Sequence, residues 1–111
     1  MIMRWNNYWT VMDKTVLLGA APMKMLDHPE KLYEIGVRGV INLCGKFKGP
    51  VSSYKRLGIE QLRLPTVDHC EPNVEALKKA IGFIESYEGK GEKVLIHCKA
   101  GHGRSAAVAM A

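Results

Sequence analysis

Cysteine is scarce in this 111-residue chain, which has only Cys44, Cys70 and Cys98, at unrelated spacings. An odd count with no Cys-x-x-Cys pair excludes a disulfide framework and points to a reducing compartment. Long apolar runs are missing as well, and none approaches the roughly 18 residues that a bilayer-spanning helix needs. Residues 1–13 carry a single basic side chain before Lys14, Arg4. They lack both the layout of a secretory signal and the arginine-rich amphipathic pattern of a mitochondrial presequence. Aromatic residues make up only 7%. No basic stripe is interleaved with them and no helix-turn-helix pattern occurs, so nucleic acid is not an expected partner. Repeats, low-complexity tracts and linkers are absent, and residues 1–111 are therefore expected to form a single domain.

At 47% hydrophobic, the chain has material for one modest core. A net charge of +5 calls for an anionic partner, either a phosphorylated substrate or an anionic membrane surface. Lys46 and Lys48 share one loop, and Arg63, Lys99 and Arg104 fall near the motif described below.

Strands and helices alternate in the pattern. Residues 9–12 and 15–18 read as strands joined by a turn at Asp13-Lys14. Asp27 is the expected cap of a short helix, with Pro29 early, Glu30 at the capping-box position and Gly36 as its end. Residues 37–43 read as a buried strand, and a glycine-lysine loop covers residues 45–50. A helical turn over residues 53–57 stops at Gly58, and residues 59–64 form the next strand. Asn73 caps a longer helix with Val74, Leu77, Ile81 and Ile84 on one face, ended by Gly89-Lys90-Gly91. The apolar run Val94-Leu95-Ile96 is a buried strand, and residues 105–111 have high helix propensity. The fold class expected from this order is α/β, with a central, mostly parallel sheet flanked by helices.

Between the last strand and the last helix lies His97-Cys98-Lys99-Ala100-Gly101-His102-Gly103-Arg104-Ser105. A helix start presents unpaired N–H groups and the positive end of its dipole, which stabilise a dianion there. Gly101 and Gly103 let backbone amides converge on it. Such a setting lowers a cysteine pKa from about 8.5 to roughly 3.5–7.5, which makes Cys98 a nucleophilic thiolate. Arg104 offers a planar fork for two phosphate oxygens, and Ser105 is placed to donate to the departing sulfur. Lys99, Ala100, Gly101, His102 and Gly103 would surround the bound phosphate, and His97 would orient the loop from behind. Ligands of α/β sheets bind beyond the carboxyl ends of strands, where Asp68 also falls, four residues past Leu64. Asp68 is the candidate general acid, with Glu71 the alternative.

His97-Cys98 through Arg104-Ser105 resembles the active-site loop of the cysteine-based protein tyrosine phosphatases, dual-specificity branch. Residues 15–20, 54–64 and 66–68 are similar to blocks of the mitochondrial members of that branch that hydrolyse phosphatidylglycerophosphate. The resemblance implies a protein-tyrosine-phosphatase-like fold whose C-terminal helices would follow residue 111. It also implies phosphomonoester hydrolysis through a phosphocysteine, with Asp68 as acid and no cofactor. The implied substrate is phosphatidylglycerophosphate, a related anionic phospholipid or a phosphoprotein. The implied location is the mitochondrial inner membrane, with the cytoplasm as the alternative.

Two His-Cys dipeptides, at His69 and His97, invite a zinc reading. A cysteine at a turn into a helix, facing an arginine, is a poor ligand environment, so no metal is expected. If the Asp68 loop closes over the pocket, Cys70 could pair with Cys98 under oxidation. Two other readings stay open: a phosphate-binding fragment, because residue 111 falls two turns into the last helix, and a rhodanese-like sulfur transferase, which gives no role to Asp68.

Overall fold

A computed structural model of the chain describes residues 3–4, 9–19, 22, 27–44, 48–64 and 74–97. The apolar run at residues 94–96 lies at the centre of a six-stranded sheet. Its strand, β6 (Lys93–His97), pairs in parallel with β3 (Val16–Gly19) on one side and β4 (Val37–Asn42) on the other. Val94, Leu95 and Ile96 are fully buried, as expected of a strand covered on both faces. Beyond β4 lies β5 (Glu60–Arg63), again parallel. Beyond β3 the sheet turns antiparallel through β2 (Trp9–Val11) to β1 (Met3–Arg4), a strand that sequence periodicity does not announce. The full order is β1-β2-β3-β6-β4-β5, so the expected mostly parallel sheet forms with an antiparallel border.

The turn expected at Asp13-Lys14 joins β2 to β3. Asp13 Oδ1 accepts from the amides of Thr15 and Val16, each at 2.8 Å, and Met12 N–H donates to Val16 O at 2.8 Å. This is the local side-chain turn that makes aspartate common at such sites.

Among the described residues, three helices cover the sheet. Leu32 of α1 (His28–Glu34) and Tyr54 of α2 (Val51–Leu57) pack with Leu17, Val40 and Leu95 on one face. Ala80 and Tyr87 of α3 (Val74–Glu88) pack with Val16, Ile41, Val94 and Ile96 on the other. Gly58 ends α2 as expected, because its φ of 74° lets Ile59 N–H reach back to Tyr54 O at 2.8 Å.

Two expectations about these helices need correction. Asp27 stands before α1 with φ 56° and makes no side-chain cap hydrogen bond. Its carbonyl closes the first turn by accepting from Lys31 N–H at 3.0 Å, and Pro29 has no N–H to be capped. Glu30 pairs with Arg56 of α2. In α3 the buried side is not the row of Val74 and Ile81, which are 65% and 36% exposed. It runs through Ala76, Leu77, Ala80, Phe83, Ile84 and Tyr87, so the small Ala80 and the aromatic rings set the helix's rotation. Leu77 and Ile84 belong to both rows. The expected Asn73 cap and the helix at residues 105–111 lie outside the described residues.

Phe83 and Tyr87 explain a glycine inside β4. A Cβ on Gly39 would lie 2.8 Å from Phe83 Cε2 and 2.9 Å from Tyr87 Cε2. Only a hydrogen at that position lets α3 settle on the sheet. Gly39→Ala is therefore expected to destabilise the fold by about 1–2 kcal/mol, because overpacking typically costs 1–3 kcal/mol and the stiffer unfolded chain returns less than 1. Urea unfolding checks this: an unchanged midpoint would mean that the two rings yield freely.

Candidate active site

Strand register brings four residues side by side at the carboxyl edge of the parallel sheet. Gly19 of β3 pairs with His97 of β6, His97 with Asn42 of β4, and Asn42 with Arg63 of β5. Residues abreast on parallel strands share a face. Asn42 and His97 follow Val40 and Leu95 by two positions, which puts them on the side covered by α1 and α2. The chain continues directly from His97 to Cys98.

His97 is fully buried. Its carbonyl accepts from Leu43 N–H at 2.9 Å, which extends the β4–β6 ladder past the strand end. Its Nδ1 lies 4.0 Å from Cys44 Sγ, at the outer limit of a sulfur hydrogen bond. Burial pushes the imidazole pKa down from 6.5 to about 4, so the ring is neutral at physiological pH.

That depression has a consequence for stability. Between pH 6.5 and 4 the unfolded chain binds a proton that the folded chain does not, so stability is full above about pH 6.5 and falls as pH drops toward 4. The slope contributed by one such histidine reaches about 1.4 kcal/mol per pH unit. His28 works in the same direction, its pKa lowered by burial and then by Lys31. The urea midpoint is expected to be lower at pH 5 than at pH 7, with a shallower fall in His97→Gln. Equal falls in the two proteins would remove His97 as the cause.

A band of polar groups holds the chain as it leaves β4. Asn42 Oδ1 accepts from Cys44 N–H at 2.8 Å, while Asn42 Nδ2 donates to Gln61 Oε1 at 3.0 Å. Gln61 Nε2 donates to Lys48 O at 2.9 Å, and Arg63 donates from Nη2 to Cys44 O at 3.3 Å. Gly49 passes close beneath with φ 78°, and a Cβ there would be 3.0 Å from Gln61 Oε1. Tyr54 lies under the same region. Its hydroxyl is buried and makes no hydrogen bond among the described residues, and its pKa is raised by burial and then by nearby Cys44.

Of the site residues chosen from sequence, His97 is the one that lies among the described residues, at the buried end of β6. Cys98, Lys99, Ala100, Gly101, His102, Gly103, Arg104 and Ser105 lie outside the described residues, as do Asp68, His69, Cys70 and Glu71. Sequence reasoning missed Asn42, Cys44, Gln61 and Tyr54. Asn42, a carboxamide within the apolar strand, was the available signal, since a buried amide requires partners. A depression lined by Asp13, Lys14, Thr15, Glu88 and Gly91 opens at the opposite edge of the sheet.

A mostly parallel sheet whose central strand leads into the Cys98–Arg104 sequence fits a class of cysteine-based phosphatase domains. The chain belongs to the dual specificity phosphatase family, for the profile described as "Dual specificity phosphatase, catalytic domain" matches residues 16–111. Within that family it is 40% identical over 112 residues to the human "Phosphatidylglycerophosphatase and protein-tyrosine phosphatase 1", covering 96% of this chain and 55% of the relative. It is 39% identical over 108 residues to "Phosphatidylglycerophosphate phosphatase PTPMT1" of Arabidopsis thaliana, covering 95% of this chain and 31% of that protein. The fold is similar to the crystal structure of PTPMT1 in complex with PI(5)P. The TM-score is 0.80 and the identity 37%, over 92% of this chain and 69% of that one. The chain thus spans about half the length of the human relative it matches.

Proposed function

We propose that residues 1–111 form the catalytic domain of a phosphomonoester hydrolase that works through Cys98, with phosphatidylglycerophosphate or a related anionic phospholipid as substrate. The observation that carries this reading is the central strand β6, whose buried last residue, His97, feeds straight into the Cys98–Arg104 sequence at the carboxyl edge of the sheet. Two curated relatives are named for phosphatidylglycerophosphate, and a solved relative is described in complex with PI(5)P. The human relative is named for protein tyrosine as well, so phosphotyrosine, phosphoserine and phosphothreonine are secondary candidates. An anionic membrane, at the mitochondrial inner membrane, is the proposed setting, and the net charge of +5 suits it.

The reaction proceeds by two displacements. Cys98 thiolate attacks phosphorus while Arg104 and the amides of residues 99–103 hold the equatorial oxygens. Asp68 gives its proton to the departing alkoxide oxygen, and the S–P bond replaces the O–P bond. Water then attacks the phosphocysteine, Asp68 takes its proton, and the sulfur leaves as thiolate with Ser105 donating to it. Inorganic phosphate departs and the enzyme is restored. Each role requires only groups of this chain.

Phosphate release from phosphatidylglycerophosphate, a phosphoinositide and a phosphotyrosine peptide tests the reading, with Cys98→Ser as control. The expected order places the phospholipids first. Binding without release from any of the three would overturn hydrolysis in favour of a phosphate-binding role, and preference for the peptide would overturn the lipid assignment.

A further inference from the structure

Gln61 lies on β5, with β4 between it and the strand that leads to the proposed nucleophile, yet a continuous line of hydrogen bonds starts from its side chain. Its Nε2 donates to Lys48 O, its Oε1 accepts from Asn42 Nδ2, and Asn42 Oδ1 accepts from Cys44 N–H. The donors all point the same way along the line, so each bond polarises the next. Glutamine is the residue type that meets both demands, one acceptor for Asn42 and one donor for Lys48, at this reach. Methionine has the length and neither group.

The line has a direction in space as well. It ties the backbone on both sides of the loop that follows β4, at Cys44 and at Lys48, to the edge strand β5. Arg63, two residues further along β5, fastens the same corner by donating to Cys44 O. A corner held in this way fixes Cys44 Sγ at 4.0 Å from His97 Nδ1, and Leu43 N–H on His97 O. Side chain and carbonyl of the residue immediately before Cys98 are therefore both in contact with the segment that Gln61 and Asn42 pin.

We propose that Gln61 is a positioning residue for the Cys98 loop: through Asn42 it holds the exit of β4 against His97 and so sets where the nucleophile's strand ends. This rests on the cysteine-phosphatase reading given above. Gln61 touches no reacting atom in this scheme. Misplacement of a reacting group by about 1 Å costs up to about a hundredfold in rate, so a partial loosening of this corner should be visible in turnover.

The test compares the 111-residue chain with Gln61→Met and Gln61→Glu, by three readouts. Turnover of p-nitrophenyl phosphate is expected to show kcat reduced about tenfold in Gln61→Met with KM within about twofold, the signature of lost positioning rather than lost binding. The pH profile of Cys98 alkylation by iodoacetamide is expected to move toward that of an ordinary thiol in the same variant. Gln61→Glu keeps the acceptor for Asn42 but loses the donor to Lys48 O, and is expected to recover only part of both losses. Amide hydrogen exchange reports on the corner without any chemistry: Cys44 N–H should exchange at least about tenfold faster in Gln61→Met, with Leu95 N–H unchanged.

Unaltered kcat, alkylation profile and Cys44 exchange in Gln61→Met would overturn the proposal. Faster Cys44 exchange with unaltered kcat and alkylation would also overturn it, reducing Gln61 to a structural role. If the parent chain shows neither turnover nor alkylation that depends on Cys98, the phosphatase reading fails and the positioning role falls with it. Cys98→Ser, measured in parallel, separates that outcome from the other two.

Discussion

Cys98→Ser is expected to lower phosphate release to background, a loss of at least about 10⁴-fold, while substrate binding stays within a few-fold of the parent. Each tenfold in rate is about 1.4 kcal/mol, so the substitution removes more than about 5 kcal/mol of transition-state stabilisation. The reason is ionisation. A thiol at a loop of converging amides and basic side chains is held largely as thiolate at neutral pH, whereas a serine hydroxyl in the same place keeps its proton. Binding survives because the proposed mechanism holds the phosphate by backbone amides and Arg104, none of which is altered. β6 makes the comparison clean. Val94, Leu95, Ile96 and His97 are all fully buried, so replacing one sulfur by oxygen beyond this strand leaves the strand itself intact. Phosphate release and calorimetric binding of an anionic substrate are the measurements. Residual turnover within tenfold of the parent would exclude Cys98 as nucleophile.

Asp68→Asn is expected to slow hydrolysis of an alkyl phosphate by about 10²- to 10³-fold, within the range typical for a positioned general acid. An alkoxide is a poor leaving group and depends on protonation as the O–P bond breaks. p-Nitrophenolate leaves without that help, so its phosphate ester should lose much less. A further sign concerns pH. The first displacement needs Asp68 protonated, so the parent's kcat/KM should fall on the alkaline side of its profile, and that fall should be absent in Asp68→Asn. Equal losses on both substrates, with the alkaline limb retained, would transfer the role to another acid, with Glu71 first in line. Asp68 follows Leu64 by four positions in the sequence, and β5 ends at Arg63 on the same sheet edge as His97, which is the placement that makes the assignment reasonable.

Much of the fold was legible because its signals are local. Three consecutive aliphatic residues at 94–96 announced a strand buried on both faces, and β6 is that strand. Gly58 announced a helix end, and its positive φ is what ends α2. Asp13 announced a turn through its own side chain. The failures have equally physical causes. Asp27 and Glu30 carry a capping-box spacing, but Pro29 removes one amide to be capped and Arg56, distant in sequence, takes the carboxylate of Glu30. The rotation of α3 depended on which of two overlapping apolar rows met the sheet. Gly39 admits the rings of Phe83 and Tyr87, and that contact turned Val74 and Ile81 toward solvent.

By itself the sequence determined the family. A cysteine, two glycines, an arginine and a serine at fixed spacing after an aliphatic run carry the proposed phosphate-loop chemistry, since all of these groups belong to one short segment. Tertiary structure alone decided what holds the strand behind that loop. Asn42 meets Gln61 across 19 positions, and Cys44 meets His97 across 53. Those contacts exist only once β5, β4 and β6 stand in that order and register. Hydrophobic periodicity within a strand specifies which faces are buried; it contains no information about which neighbour a strand will take.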